Sequence, residues 1–171
     1  MTPPLSLVAV AAGSNLGDRR AHLEWAFAQL AGSLSNLRIS SLIETEPVYV
    51  PGPQPPYLNA AVVGETTLAP VDLMRVLLDL ERARGRTRGA PRASRTLDLD
   101  LILYGDLILD TPALVVPHPR FRERRFVLEP LAELAPEWRD PVTGKTVRDL
   151  LSVLTGDRRA HGGAEPSWGK P

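Results

Sequence analysis

The feature that most constrains the fold of this chain is a short run in which leucine and aspartate alternate. The run is Arg95-Thr96-Leu97-Asp98-Leu99-Asp100-Leu101. A period of two residues is typical of a β-strand, in which successive side chains point to opposite faces. We therefore expect the three leucines to point into a core, and Asp98 and Asp100 to share the opposite face.

Apolar and helical patterns predict the remaining elements. An apolar run that ends at Gly13-Ser14-Asn15 predicts a buried strand followed by a turn, and Asp18 is placed to cap the helix that follows. Five prolines within 47–56 exclude a helix or a central strand there. The predicted strands cover 5–12, 37–43, 57–67 and 96–104, and the predicted helices cover 18–32, 70–85, 124–134 and 146–154.

The order of these elements predicts the fold class. It is strand-helix-strand-strand-helix-strand with appended C-terminal helices, which is typical of the ferredoxin-like βαββαβ sandwich. We expect an α/β (α+β) protein with a mainly antiparallel sheet and helices on one face. Residues 1–155 are predicted to form a single domain, and 156–171 a flexible tail. Because this fold has many functions, it does not by itself decide the activity.

Composition excludes several classes of protein. The chain has no cysteine, so disulfides, thiol nucleophiles and cysteine-based zinc sites are excluded. Its 20 basic and 20 acidic residues give no net charge, which argues against nucleic-acid binding through bulk electrostatics but leaves a local basic patch open. The apolar run at 5–12 is far shorter than the ~20 residues of a membrane span, and no secretory signal is visible. We expect a cytoplasmic protein without membrane or nucleic-acid partners.

The carboxylate pair and the arginines before it predict a site for a polyphosphate. Side chains two apart on a strand lie roughly 6.5 Å apart, so Asp98 and Asp100 can converge on one Mg²⁺ or on two ions about 3.5–4 Å apart. Six arginines lie between positions 82 and 95, and their guanidinium groups suit phosphate oxygens. The alternatives are a solvated strand face for the aspartates and a solvated or nucleic-acid-binding surface for the arginines. No Walker A motif is present, so a nucleotide would bind with another geometry.

Two further motifs carry weaker signals. His118 stands between two prolines, which favours a loop, and with Arg124 it is placed to meet phosphate oxygens; the alternative is a structural histidine. The segment 13–18 lies between a strand and a helix and is similar to a phosphate-binding turn, but we interpret it as a structural turn. His22 and His161 have no such context, and the sequence assigns them no role.

Taken together, these motifs resemble one enzyme family. The segments 13–18 (Gly-Ser-Asn-Leu-Gly-Asp), 57–61 (Tyr-Leu-Asn-Ala-Ala), 95–101 and 116–119 (Val-Pro-His-Pro) stand in the order found in 6-hydroxymethyl-7,8-dihydropterin pyrophosphokinases. The resemblance covers residues 5–150. It implies transfer of diphosphate from ATP to the hydroxymethyl group of 6-hydroxymethyl-7,8-dihydropterin in folate synthesis, with ATP as cosubstrate and two Mg²⁺ ions.

The same resemblance assigns roles to individual residues. It places the two Mg²⁺ ions on Asp98 and Asp100, which are also counted as catalytic. The other catalytic residues are Arg86, Arg88 and Arg95. The residues that match ATP-binding positions are Glu81, Arg88, Leu101, His118 and Arg124. Those that match pterin-binding positions are Thr45, Val48 through its backbone, Tyr57, Asn59 and Phe126, whose ring would stack on the pterin.

The sequence departs from the family pattern in places. The segment between Arg88 and Arg95 is shorter than usual and lacks the family's tryptophan, and Arg125 stands where glycine is common. Two other hypotheses stay open: a nucleic-acid-binding module on the same fold, and a kinase that transfers only the γ-phosphate. We expect a monomer, with a dimer as the alternative.

Overall fold

A computed structural model of the chain describes residues 3–46, 54–85 and 96–156. The strands are β1 (Ser6–Ser14), β2 (Ser35–Ile39), β3 (Ile43–Thr45), β4 (Tyr57–Thr66), β5 (Asp98–Tyr104), β6 (Leu109–Asp110) and β7 (Val115–Val116). The helices are α1 (Arg19–Leu30), α2 (Pro70–Ala83), α3 (Arg125–Leu134) and α4 (Val147–Thr155), with a short 3₁₀ helix over Phe121–Glu123. The predicted order of the four helices and of the main strands β1, β2, β4 and β5 is confirmed.

The main sheet has the strand order β2-β4-β1-β5, and β3 also pairs with β4. These pairings are all antiparallel. With β1 and β4 in the centre and a helix after each of them, this is the ferredoxin-like arrangement that the sequence predicts. β6 and β7 form a separate small hairpin sheet.

The segment 37–43 differs from the single strand predicted there, because the ladder breaks at Ser40. The Ser40 N–H donates to the Ala61 carbonyl at 3.0 Å, whereas the Ser40 hydroxyl accepts the Ala61 N–H at 2.8 Å. A side chain thus takes the place of the main-chain acceptor, and β2 ends. After this break the chain pairs with β4 a second time as β3, and this pairing places Thr45 opposite Tyr57.

One face of the sheet packs against α1 and α2. Leu97, Leu99 and Leu101 are 0%, 1% and 3% exposed and lie in a core with leucines of both helices. This confirms that the leucines of the alternating run point inward. α1 begins at its predicted cap, where the Asp18 carboxylate accepts the Ala21 N–H at 3.1 Å.

The appended helices α3 and α4 cover the opposite face, mainly through Val127, Leu128 and Leu131. They bury the half of the sheet that contains Ala9. Asp98 and Asp100 are half-buried, so this cover ends before it closes over the carboxylates. The helices predicted on one face are α1 and α2, and the appended helices add a third layer.

A bulge in β5 ends the alternation of its side chains. The register with β1 shifts between Leu101 and Leu103. As a result Ile102 and Leu103 both lie in the core under α3 and α4. The two carboxylates occupy the regular part of the strand that precedes the bulge.

None of the helices within the described ranges combines the length and the apolarity that a membrane crossing requires. The predicted flexible tail, 156–171, lies outside the described residues except for Gly156, which follows α4.

Candidate functional site

The register of three strands sets the floor of the candidate site. Asn59 of β4 lies opposite Gly13 of β1, and Gly13 lies opposite Asp98 of β5. Two residues further along β5, and so on the same face again, Asp100 lies opposite Ala11. Residues directly opposite one another share a face of the sheet. An amide and two carboxylates therefore stand on one surface, with only small residues of β1 between them.

Gly13 is required by the close approach of its neighbours. A Cβ at this position would stand 3.0 Å from Asn59 Oδ1 and 3.5 Å from Tyr57 Cδ1. The first strand ends within 13–15 as predicted, but it continues two residues past the predicted end at 12, because β1 stays paired with β4 through Ser14. Gly13 therefore belongs to the strand that forms the floor of the site rather than to a turn.

Three of the predicted pterin-binding residues lie together. The Asn59 Nδ2 donates to Thr45 Oγ1 at 2.5 Å, and Thr45 lies opposite Tyr57 across β3 and β4. Asn59 is 5% exposed, while Thr45 and Tyr57 are half-buried. The bond to Thr45 sets the amide so that its Oδ1 lies beside Gly13. These residues form one wall of the site.

Two residues that sequence reasoning did not select hold this wall in place. The Asn15 Nδ2 donates to the Pro55 carbonyl at 3.2 Å, and Arg19 Nη1 donates to the Pro56 carbonyl at 2.9 Å. Arg19 also forms an ion pair with Glu44 of β3, with 3.0 Å between Nη2 and Oε2. They fix the segment that leads into Tyr57. The available signal was the motif 13–18, which contains Asn15 and precedes Arg19.

His118 lies at the carboxylate end of the site. The main-chain N–H of His118 donates to the Ile102 carbonyl at 3.0 Å. The ring Nδ1 accepts the main-chain N–H of Arg120 at 3.1 Å. Burial and the positive charge of Arg124 lower the pKa of His118 to about 4, while the charge of Asp98 opposes this shift. The ring is therefore neutral at neutral pH and lies within the electrostatic reach of both Arg124 and Asp98.

Arg124 and Phe126 stand at the start of α3. The Arg124 guanidinium lies over the Phe126 ring, with 5.6 Å between Cζ and the ring centroid. Arg125, the departure from the family pattern, instead forms an ion pair with Glu129 at 2.9 Å on the exposed side of the helix. The sequence difference therefore leaves the ring next to Arg124.

A buried ion pair anchors the 3₁₀ helix between His118 and α3. Asp140, whose side chain is 0% exposed, accepts from Arg122 Nη2 at 2.9 Å and from Thr143 Oγ1 at 2.7 Å. Burial by itself raises the pKa of Asp140. These bonds and one from the Val142 N–H outweigh that effect and lower the pKa to about 2. Nothing in the sequence pattern links Arg122 to Asp140.

Glu81 lies beneath β5. Its side chain is 1% exposed, and its Oε2 accepts the N–H of Leu99 at 2.9 Å. Leu99 stands between the two aspartates on an outer strand, so this bond supports the backbone that carries both carboxylates. Leu101 is also buried, at 3% exposed. The predicted nucleotide contacts of Glu81 and Leu101 stay predictions.

Four predicted site residues lie outside the described residues: Val48, Arg86, Arg88 and Arg95. Within the described ranges, no three His, Cys, Asp or Glu side chains are grouped so as to hold a metal. Asp98 and Asp100 form a pair on one face instead. Such a pair fits Mg²⁺, which commonly takes one or two carboxylates and completes its shell with phosphate oxygens and water.

Comparison with known proteins places most of the chain in one family. The profile of the 7,8-dihydro-6-hydroxymethylpterin-pyrophosphokinase (HPPK) family matches residues 9–136. The chain is 42% identical over 147 residues to a 2-amino-4-hydroxy-6-hydroxymethyldihydropteridine pyrophosphokinase of Synechocystis, which covers 85% of this chain and 74% of that protein. It is 39% identical over 151 residues to the Pseudomonas aeruginosa protein of the same name, covering 85% and 90%.

The fold also matches solved structures. A crystal structure of wild-type Plasmodium falciparum HPPK-DHPS aligns with a TM-score of 0.71 and 14% sequence identity over 94% of this chain. The chain spans 47% of that longer protein. At this identity the likeness shows the fold alone, and it confirms the predicted fold class.

Proposed function

The chain belongs to the 7,8-dihydro-6-hydroxymethylpterin-pyrophosphokinase family, and on this basis we propose how its residues carry out the reaction. The reaction is the transfer of diphosphate from ATP to the hydroxymethyl group of 6-hydroxymethyl-7,8-dihydropterin, in folate biosynthesis. The protein is an ATP-dependent diphosphotransferase, and the resemblance found in the sequence is confirmed. Its products are AMP and the pterin diphosphate.

The cross-strand row of Asn59, Gly13 and Asp98 supports the proposal most. It puts an amide that can bind the edge of a heterocycle and a carboxylate that can bind a cation on one surface. Two strand spacings, about 10 Å, separate them. A pterin on the Asn59 side would direct its hydroxymethyl group toward the carboxylates, where the phosphates of ATP would lie.

We assign the pterin to the wall of Thr45, Tyr57 and Asn59. An amide carries both an acceptor and donors, so it suits a ring edge that carries both. Phe126 and the backbone of Val48 complete the assignment, with the Phe126 ring face stacking on the flat heterocycle.

We assign the phosphates of ATP to His118 and Arg124. Because His118 Nδ1 accepts the Arg120 N–H, the proton of the neutral ring is on Nε2, which can donate to a phosphate oxygen. Arg124 supplies a permanent positive charge beside it. The other residues assigned to the nucleotide or to catalysis are Glu81, Arg86, Arg88, Arg95 and Leu101.

We assign two Mg²⁺ ions to Asp98 and Asp100. Bound there, the ions would supply neutralisation of the negative charge on the phosphate oxygens. The carboxylates contribute hard oxygen ligands that share one face of β5, next to the neutral His118.

The bonding changes follow from the products. The hydroxymethyl oxygen forms a bond to the β-phosphorus of ATP as the bond from that phosphorus to the α,β-bridging oxygen breaks. AMP leaves with the bridging oxygen and its electron pair, and the hydroxyl proton passes to water. The chain's own residues act by position and charge: Asn59 holds the heterocycle, while His118 and Arg124 hold the phosphates.

Identification of the nucleotide product tests the reaction. The protein is incubated with Mg²⁺, ATP and 6-hydroxymethyl-7,8-dihydropterin, and the products are separated by chromatography. We expect AMP and pterin diphosphate in equal amounts. ADP as the nucleotide product would contradict diphosphate transfer and support an ordinary kinase, and RNA binding without turnover would support a nucleic-acid-binding module.

We also propose that residues 1–155 act as one monomeric catalytic unit in the cytoplasm. The residues assigned to both substrates come from a single chain and, where they are described, from one sheet and the elements packed on it. Sedimentation of the purified protein at working concentration gives the mass of the unit directly.

A further inference from the structure

A cluster of four residues joins α1 to the end of α2 and to the start of β5. It consists of His22, Trp25, Arg84 and Thr96, and we call it the His22 cluster. Arg84 Nη2 lies 2.7 Å and Arg84 Nε 3.1 Å from His22 Nδ1. The same guanidinium lies over the Trp25 ring, with 4.9 Å between Cζ and the ring centroid. Arg84 is thus held by two side chains of α1.

The contact fixes the protonation state of His22. A guanidinium has only donors, so the Nδ1 that it approaches must be an acceptor. The ring is then neutral, with its proton on Nε2. Burial and the positive charge of Arg84 both lower the pKa of His22, while Asp18, at the start of α1, opposes them.

The motif 13–18 makes room for this ring. Gly17 has a φ of +71°, and a Cβ built there would stand 3.1 Å from His22 Nε2. A side chain at position 17 would be strained by its backbone and would also press on the imidazole. The second glycine of the motif, which no part of the catalytic assignment uses, therefore serves the His22 cluster.

Thr96 extends the cluster to the strand that carries the carboxylates. Its hydroxyl donates to the Arg84 carbonyl at 2.7 Å, so Arg84 is bound through its side chain to α1 and through its main chain to Thr96. Thr96 stands two residues before Asp98 in the chain. Arg84 and Thr96 also flank residues 86–95, which contain three of the arginines assigned to catalysis.

We propose that neutral His22 is a positioning residue for diphosphate transfer, because it holds Arg84 and, through Arg84, the start of β5 and both flanks of 86–95. Protonation of His22 would remove the acceptor and set two positive charges against each other, which would release Arg84. The inference rests on the proposed function, since it concerns how the same site is held. It predicts that acid weakens catalysis through a residue that touches neither substrate.

Two substitutions of His22 distinguish its role as a hydrogen-bond acceptor from its ability to gain a proton. In His22→Asn, the amide Oδ1 stands the same number of bonds from the backbone as Nδ1, so it can accept from Arg84, and it does not titrate. His22→Leu removes the acceptor. Arg84→Met removes the donors but keeps a chain that can pack on Trp25. The matched control is Arg75→Met, since Arg75 is exposed on the same helix and pairs with Asp72.

The experiment measures kcat/KM for ATP between about pH 8 and about pH 5, with thermal unfolding of every variant beside it. We expect His22→Leu and Arg84→Met to lose roughly tenfold near pH 8 and the control Arg75→Met to lose less than about twofold. His22→Asn should stay within about twofold of wild type near pH 8 and should fall less than wild type as the pH drops below about 6.5.

An acid fall in His22→Asn as large as that of wild type would overturn the proposal, and so would full activity of His22→Leu at pH values where it is folded. Should His22→Leu fail to fold, the pH profiles of wild type and His22→Asn decide alone. Failure of the proposed function is distinguishable, because wild type would then form no AMP at any pH.

Discussion

At the scale of single residues, Gly13 determines how the two halves of the site fit together. A glycine inside a strand ordinarily weakens it, because there is no side chain to pack. Here a Cβ would stand 3.0 Å from Asn59 Oδ1, while on the other side of the glycine Asp98 continues the row. The missing side chain leaves the surface between amide and carboxylate open, so a flat ring and a phosphate chain can meet there.

Gly13→Ala should weaken pterin binding more than ATP binding. The added methyl group would displace the Asn59 amide, so we expect the KM for the pterin to rise roughly tenfold and the KM for ATP to change less than about twofold. Steady-state kinetics with each substrate varied in turn measure both values.

The double variant Gly13→Ala with Asn59→Ala is the control for this explanation. If the methyl group acts through the amide, the double variant will be no worse than Asn59→Ala alone. Full additivity of the two losses would show that Gly13 acts in some other way.

The sequence predicted the charged residues of the site better than the residues that hold the site in place. The alternating run was enough to place Asp98 and Asp100 on one face, because strand geometry is local. Asn15 and Arg19 donate to carbonyls 40 and 37 positions away. Such contacts exist only once the fold has brought the partners together, so no local pattern indicates them.

At the scale of elements, the Arg122–Asp140 ion pair anchors the 3₁₀ helix that stands between His118 and Arg124. Asp140 is buried among donors, and its bond to Arg122 also raises the pKa of that guanidinium. The pair therefore ties the turn between His118 and Arg124, the two residues that we propose bind phosphate, to the segment before α4.

Asp140→Asn should destabilise the fold by about 3 kcal/mol, because it leaves Arg122 partly buried without its counter-ion. Denaturant unfolding at neutral pH measures the loss. Asp110→Asn, which changes an exposed aspartate on β6, is the matched control and should change the free energy of unfolding by less than about 0.5 kcal/mol.

The same variant should change the pH dependence of stability. The folded-state pKa of Asp140 is about 2 and its ordinary value is 3.8, so the pair stabilises the fold fully above 3.8, and this stabilisation is lost as the pH falls from there through about 2. Between about pH 5 and about pH 3, wild type should therefore lose more stability than Asp140→Asn. Parallel curves over that range would contradict the assignment.

Elements were predicted well where their signal is periodic and poorly where a distant group intervenes. The helix α2 begins at the proline that predicted it, since proline suits the first helical turn. The break at Ser40 was not predicted, because Leu37, Ile39 and Ile43 keep the same two-residue phase on either side of the serine pair 40–41. What interrupts the ladder is the Ser40 hydroxyl accepting the N–H of Ala61, on a strand that comes later in the chain.

At the scale of the whole molecule, the site lies where one layer stops. Helices α1 and α2 cover one face of the sheet, while α3 and α4 cover the other face around Ala9 and leave Asp98 and Asp100 half-buried. The element order predicted the sandwich, because each element must bury one face. The element order did not predict where the layer of α3 and α4 ends, because that depends on how α3 packs on the sheet.

The central claim is that Asp98 and Asp100 hold Mg²⁺ against the phosphates of ATP. Calorimetric titration with α,β-methylene ATP, with and without Mg²⁺, tests it most directly in wild type, Asp98→Asn, Asp100→Asn and the exposed control Asp106→Asn. We expect Mg²⁺ to tighten binding at least about tenfold in wild type and the control, and to have little effect in the other two variants. Binding by Asp98→Asn and Asp100→Asn that depends on Mg²⁺ as strongly as wild type would contradict the claim.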